Sequence, residues 1–204
     1  MNRTLRGALA GALIASTLVN AGCFALAAGG IAAGTLVAID RRTVGAQTED
    51  QALEMRARSQ LSADVPNSKV SVTSYNRKVL LTGQAASEND KQLAERIVSA
   101  LPNVRGVHNE LQVTGQPGLS TTAGDLSITT RVKAALVEAA DLQANTIKVV
   151  TEAGTVYLMG LVSQREAARA AQVASHVRGV MRVVTAFELI SEDAVKASST
   201  HRPQ

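Results

Sequence analysis

The sequence predicts an α+β protein: two tandem αββαβ domains, each a three-stranded sheet packed against two helices. Three observations predict this. The chain repeats itself, with "KVLLTGQ" (78–84) returning as "TVYLMGL" (155–161) at an offset of 77 and "LEMRARSQL" (53–61) returning as "ITTRVKAAL" (128–136) at an offset of 75. Inside each copy, helical spacing of apolar residues gives way to two alternating runs and then returns. A Gly/Ser/Thr/Pro stretch, "TGQPGLSTTAG" (114–124), separates the copies. A period this long indicates domains, not a solenoid.

The elements follow in order. Leu53, Ala57 and Leu61 hold one helical stripe, as Ile128, Val132 and Leu136 do in the second copy. Val70 and Val72, then Val79 and Leu81, alternate as strands; Ile147 and Val149, then Val156 and Leu158, repeat the pattern. Asn76-Arg77 and Ala153-Gly154 stand at the hairpin turns, and Gly83 and Gly160 close the second strands. Ser87-x-x-Asp90 and Ser163-x-x-Glu166 are capping-box patterns. They open a second helix with Leu93, Ile97 and Leu101 on its apolar face in copy one, and Ala170, Val173 and Val177 in copy two. A final strand ends each copy, and two helices on one face of a sheet bury one small core. The expected boundaries are 48–113 and 125–190, with a linker at 114–124 and a disordered polar tail at 191–204.

The front of the chain has a different character. Arg3 and Arg6 precede an apolar run from Gly7 to Val19, and Asn20-Ala21-Gly22 leads into Cys23, the single cysteine. This is the layout of a secretory signal, residues 1–22. Small residues directly before a cysteine resemble the lipobox of bacterial lipoproteins. That resemblance implies cleavage before Cys23, a diacylglycerol on its thiol, and a tether over 23–47. Asn20 stands where that family usually has Leu. Two other readings of Cys23 stay open: a bystander in a transmembrane helix, since 7–39 carries no charge, or a reactive thiol. Gly22, Gly29, Gly30 and Gly34 weaken the helix. Nothing near Cys23 would lower the thiol pKa.

Composition narrows the chemistry. One cysteine excludes an internal disulfide and any multi-cysteine zinc site. Net charge is +4, but Arg3 and Arg6 are two of the 21 basic residues, leaving 19 against 17 acidic ones. Such a balance does not announce a nucleic-acid binder. There is no HExxH, P-loop or GxGxxG. His108 is placed outward on a strand, His176 late on a helix, and His201 in the tail, and no Ser, Asp or Glu forms a nucleophile elbow around any of them. The expectation is no catalytic residue, no metal, no cofactor and no small-molecule substrate.

The carriers "VLLTGQ" and "VYLMGL", the downstream "NVRGVHNEL" and "GVMRVVTAFEL", and the αββαβ order together resemble the BON domain (bacterial OsmY and nodulation domain). Two such domains behind a lipobox resemble dual-BON outer-membrane lipoproteins, from Cys23 to Ile190 and including "DRRTVGAQTED". The resemblance implies a non-enzymatic role in envelope integrity and anionic-phospholipid binding by the second domain. It implies an outer-membrane location facing the periplasm, because Phe24, not Asp, follows the cysteine. On the residues themselves, the first helix of copy two carries a second, outward line: Leu126, Thr130, Lys133, Ala134 and Val137, flanked by Ser127 and Arg131. Apolar residues beside cations suit a lipid interface. An ordinary solvated face, or packing against the first domain, fits the same residues. The functional alternative is an adaptor for outer-membrane assembly or division proteins.

Overall fold

Hairpins that return through a helix dictate the architecture. The computed structural model describes residues 40–115 and 122–200. Domain 1 runs α1 (Val44–Asp64), β1 (Lys69–Tyr75), β2 (Lys78–Ala85), α2 (Glu88–Ser99), β3 (Gly106–Asn109) and β4 (Gln112–Val113). Domain 2 repeats this with α3 (Thr122–Glu138), a 3-10 turn at Ala144–Thr146, β5 (Ile147–Glu152), β6 (Thr155–Val162), α4 (Gln164–Ser175), β7 (Arg182–Thr185) and β8 (Glu188–Leu189). A last helix, α5, spans Glu192–Thr200.

Each sheet has its second strand at the centre. β1 pairs antiparallel with β2, as Val72 opposite Leu81 shows, and β3 and β4 both pair parallel with β2. β5, β6, β7 and β8 follow the same plan. The expected third strand is therefore two short pieces. Pairing lapses at Glu110-Leu111 and at Ala186-Phe187 and then resumes in register. Opposite the first gap β2 turns at Gly83, whose φ of +108° and 2.1 Å from a built Cβ to the Lys69 carbonyl oxygen admit no side chain. Leu111, in the gap, is buried in the domain 1 core.

Three boundaries need correction. The expected 23–47 tether overlaps the folded part: Arg41 and Arg42 are held by ion pairs to Glu166, Asp40 and Asp50, and α1 begins at Val44 because Thr43 Oγ1 accepts from the Ala46 amide at 3.1 Å. The 114–124 linker loses its end to α3, which begins at Thr122. The 191–204 tail is not disordered over 192–200. Ser191 caps α5 by accepting from the Ala194 amide at 3.2 Å, Glu192 and Asp193 sit in its first turn, and Val195 is buried. The signal, Cys23 and His201 lie outside the described residues.

The expected core residues line the helix side of each sheet. Leu53, Ala57, Leu61, Val72, Val79 and Leu81 form one core, and Ile128, Val132, Leu136, Val149, Val156 and Leu158 the other. Both hairpin turns have two residues at positive φ, Asn76 (51°) and Arg77 (64°), then Ala153 (48°) and Gly154 (72°). A buried carboxylate from the first helix holds each turn. Asp50 accepts from the amides of Asn76 and Arg77 at 2.8 and 2.7 Å, and Asp125 from those of Ala153 and Gly154 at 2.9 Å each. Charge-assisted bonds of this length offset the strain of a non-glycine residue in the left-handed region.

The second faces of the two sheets pack on each other within one compact unit. Tyr75 and Leu80 from domain 1 join Tyr157, Met159 and Ala186 from domain 2 in a third buried cluster. Polar links ring it. Tyr75 Oη donates to the Thr146 carbonyl at 3.1 Å, Lys148 pairs with Glu54 at 3.1 Å, Arg105 with Glu188 at 3.1 Å, and Arg182 with Glu110 at 3.5 Å. Burial, and next the nearby Asp40, push the Tyr75 hydroxyl up to about 12. Arg42 pairs with Asp40 and Asp50 at 2.7 Å each and lies 4.0 Å over the Tyr75 ring.

The deepest link is Arg41. Its guanidinium meets Glu166 at 2.7 and 2.8 Å in a two-pronged pair, and donates to the Leu161 carbonyl at 2.7 Å and to Gln143 at 3.1 Å. The side chains are 1% and 4% exposed. Glu166 is also the closing residue of the α4 capping box, accepting from the Ser163 amide at 2.9 Å. One carboxylate thus caps a helix and anchors the segment that enters domain 1.

Candidate functional site

The outward face of α3 is the surface the sequence points to. Asp125 fixes where the helix starts, because its carboxylate is committed to the β5–β6 turn. Ile128, Val132 and Leu136 fix its rotation, because they fill the domain 2 core. With those positions inward, the 3.6-residue period turns Leu126, Thr130, Lys133, Ala134 and Val137 outward. All five are exposed, and so are Ser127 and Arg131. Leu126 is 68% and Val137 71% exposed. Packing of this face against domain 1 is therefore excluded: the interface uses the other face of the sheet.

Local bonds shape the face. Thr130 Oγ1 donates back to the Leu126 carbonyl at 2.9 Å, which leaves its methyl group to contribute apolar surface. Arg131 Nη1 donates to Ser127 Oγ at 2.6 Å, and Nε donates to the Arg178 carbonyl at 3.1 Å. No Asp or Glu lies between Leu126 and Val137. Lys133 has no acidic partner among the described residues. The result, from Leu126 to Val137, is an apolar ridge with two cations, followed by the exposed Glu138 at the helix end. Arg178 was legible in the sequence only as a neighbour of His176, because its place beside α3 depends on a loop contact 47 residues away.

The first domain supplies an internal comparison. At an offset of 75, Leu126, Thr130, Arg131, Lys133, Ala134 and Val137 correspond to Gln51, Met55, Arg56, Arg58, Ser59 and Ser62. Arg56 pairs with Glu49 at 3.5 Å and Arg58 with Glu54 at 3.0 Å. The ridge ends are polar there and the cations are matched by acids. Two helices in the same architectural place thus present surfaces of different chemistry. Of the described histidines, His108 is exposed on β3, and His176 is exposed with Nδ1 2.7 Å from the Gln172 carbonyl and 3.3 Å from Ser175 Oγ.

Comparison with known proteins agrees with the architecture. The BON domain matches residues 49–115 and again 124–191. The chain is 33% identical over 181 residues to the outer membrane lipoprotein DolP of Haemophilus influenzae, covering 87% of this chain and 94% of that one. It is 34% identical over 155 residues to the 21 kDa hemolysin of Actinobacillus pleuropneumoniae, covering 74% and 80%. The osmotically-inducible protein Y of Escherichia coli is 28% identical over 156 residues, covering 74% and 78%. With two matched domains, a shared αββαβ plan and a full-length relative, the chain belongs to the BON-domain family and is a dual-BON protein of the DolP type.

Proposed function

We propose that this protein is a non-enzymatic lipoprotein of the outer membrane, facing the periplasm, that supports envelope integrity by binding anionic phospholipid through α3 of its second domain. The observation that carries the binding reading is the contrast between the two equivalent helices. On α3, exposed Leu126 and Val137 flank Arg131 and Lys133 with no carboxylate among them, while on α1 the matching cations are paired with Glu49 and Glu54. Each cation without an acidic partner contributes on the order of 1 kcal/mol near an anionic surface. Leu126 and Val137 would each add ~1.5–3 kcal/mol if fully inserted. That is weak affinity, and weak affinity suffices for a tethered protein, because the anchor supplies a high effective concentration.

The anchor would be Cys23, whose setting resembles a lipobox in Ala21 and Gly22 though not in Asn20, and the name of the Haemophilus relative supports it. Mass spectrometry of the membrane-extracted protein is expected to find a chain beginning at a diacylglyceryl Cys23. An intact Met1 with an unmodified thiol would contradict the anchor.

The binding reading is tested by vesicle co-sedimentation of the chain lacking residues 1–23, the form without an anchor. Arg131→Glu/Lys133→Glu is expected to weaken binding to phosphatidylglycerol vesicles about 30-fold or more. The domain 1 counterpart, Arg56→Glu/Arg58→Glu, is expected to leave it near wild type. Equal losses in the two variants would show that bulk charge, not α3, drives association.

A further inference from the structure

We propose that the membrane-contacting surface extends from α3 onto the α4–β7 loop, where Met181 is an additional apolar insertion point and Arg178 an additional phosphate contact. This rests on the lipid reading above and defines the orientation in which domain 2 meets the bilayer. Leu126 and Val137 lie on one helix and mark only a line; Met181 adds a point off that line.

The loop is fastened to α3. Arg131 Nε donates to the Arg178 carbonyl at 3.1 Å while Arg131 Nη1 reaches Ser127. A Cβ on Gly179 would come within 3.1 Å of Arg131 Nη2 and 3.2 Å of Ile128 Cγ1, so the loop backbone lies directly against the helix. Gly179 has φ of +95°, which a side chain would strain.

Met181 is placed by the β5–β6 turn. Its amide donates to the Gly154 carbonyl at 2.9 Å, and its Sδ lies 2.7 Å from the position of a Cβ on Gly154. The bare turn supports the thioether from below and leaves it 83% exposed. Asp125 binds the same turn, and Leu126 is the next residue. Met181 and Leu126 therefore share one end of α3, with Val137 about 16 Å away along the helix at 1.5 Å per residue.

The charge pattern commits this surface to an anionic bilayer. Arg178 is exposed, and His176–Met181 contains no Asp or Glu. Arg131, Lys133 and Arg178 thus accompany three exposed apolar side chains, and the Asp125 carboxylate beside Leu126 is buried and committed to the β5–β6 turn. Acyl chains accept the apolar groups, and headgroup phosphates meet the cations. Methionine suits the task, since its flexible thioether adapts to a disordered partner.

The chain contains no Trp, so a single substitution gives one indole to observe. The full chain carrying Met181→Trp, Leu126→Trp or Met55→Trp is reconstituted into vesicles of brominated phosphatidylglycerol or brominated phosphatidylcholine. Met55 is 65% exposed on α1 and shares the same tether, so it reports proximity without contact. Met181→Trp is expected to lose emission in the anionic vesicles as strongly as Leu126→Trp, and in the zwitterionic vesicles no more than Met55→Trp. Adding Arg178→Gln to Met181→Trp is expected to lower the bound-to-free ratio about fivefold, the share of one basic residue. Quenching of Leu126→Trp alone would overturn the extension and leave the α3 reading standing. Quenching of neither, on any lipid, would overturn both the extension and the lipid reading. An unchanged ratio with Arg178→Gln would remove Arg178 from the contact.

Discussion

Arg41→Ala is expected to separate the melting of the two domains. The substitution removes the guanidinium from a pair whose side chains are 1% and 4% exposed, and leaves Glu166 buried without its cation. Breaking a buried pair by deleting one partner costs ~3–5 kcal/mol, a large part of the stability of a small domain. The loss falls on domain 2, because Glu166 also closes the α4 capping box. It also falls on the interface, because Arg41 ties the Leu161 carbonyl and Gln143 to the segment entering α1. Calorimetry should replace one transition with two, the lower belonging to domain 2. A single transition shifted by less than a degree would show that the pair is neither a staple nor a cap.

The same pair sets an acid limit. Burial opposes the Glu166 charge, but hydrogen bonds from Arg41 and the Ser163 amide outweigh it and hold the carboxyl below its ordinary value of 4.5. A carboxyl with a lowered folded-state pKa gives stability that is present above the unfolded value. That stability is lost as pH falls through the folded value. Wild-type stability should therefore drop below about pH 4.5. In Glu166→Gln this part of the drop is absent.

Leu158→Asp is the second large effect. Leu158 is fully buried in the domain 2 core beside Val156 and Val132. A carboxylate there has no cation and no water, and an uncompensated buried charge costs several kcal/mol. Domain 2 is expected to unfold while domain 1 keeps its dispersed amide resonances, with shifts at Tyr75 and Leu80, which lose their interface partners. Leu81→Asp should do the reverse. Collapse of both domains in either variant would make the interface, not the individual cores, the unit of folding.

The comparison of sequence with structure turns on where a residue's partner lies. The helix stripes, hairpins and Ser163 cap were legible because their signals sit within a few residues. So was the outward direction of Leu126 and Val137, which needs only the helical period and an inner stripe. Arg41, Asp50 and Asp125 carry no local signal of their roles because their partners are distant: Glu166 is 125 residues from Arg41. The interface did leave a mark in the sequence. Val156-Tyr157-Leu158-Met159 is continuously apolar, the signature of a central strand buried on both faces. The broken third strand left no comparable mark, since its two pieces stay in register.

The central claim is that α3 of domain 2 selects anionic phospholipid. It is tested most directly by NMR titration of the chain lacking residues 1–23 with phosphatidylglycerol and phosphocholine micelles. The account predicts amide shifts centred on Leu126–Val137 with the anionic micelle only, abolished by Arg131→Glu/Lys133→Glu, and no matching shifts on α1. Equal shifts with both micelles, or none on α3, would contradict it and favour a surface for envelope assembly or division proteins.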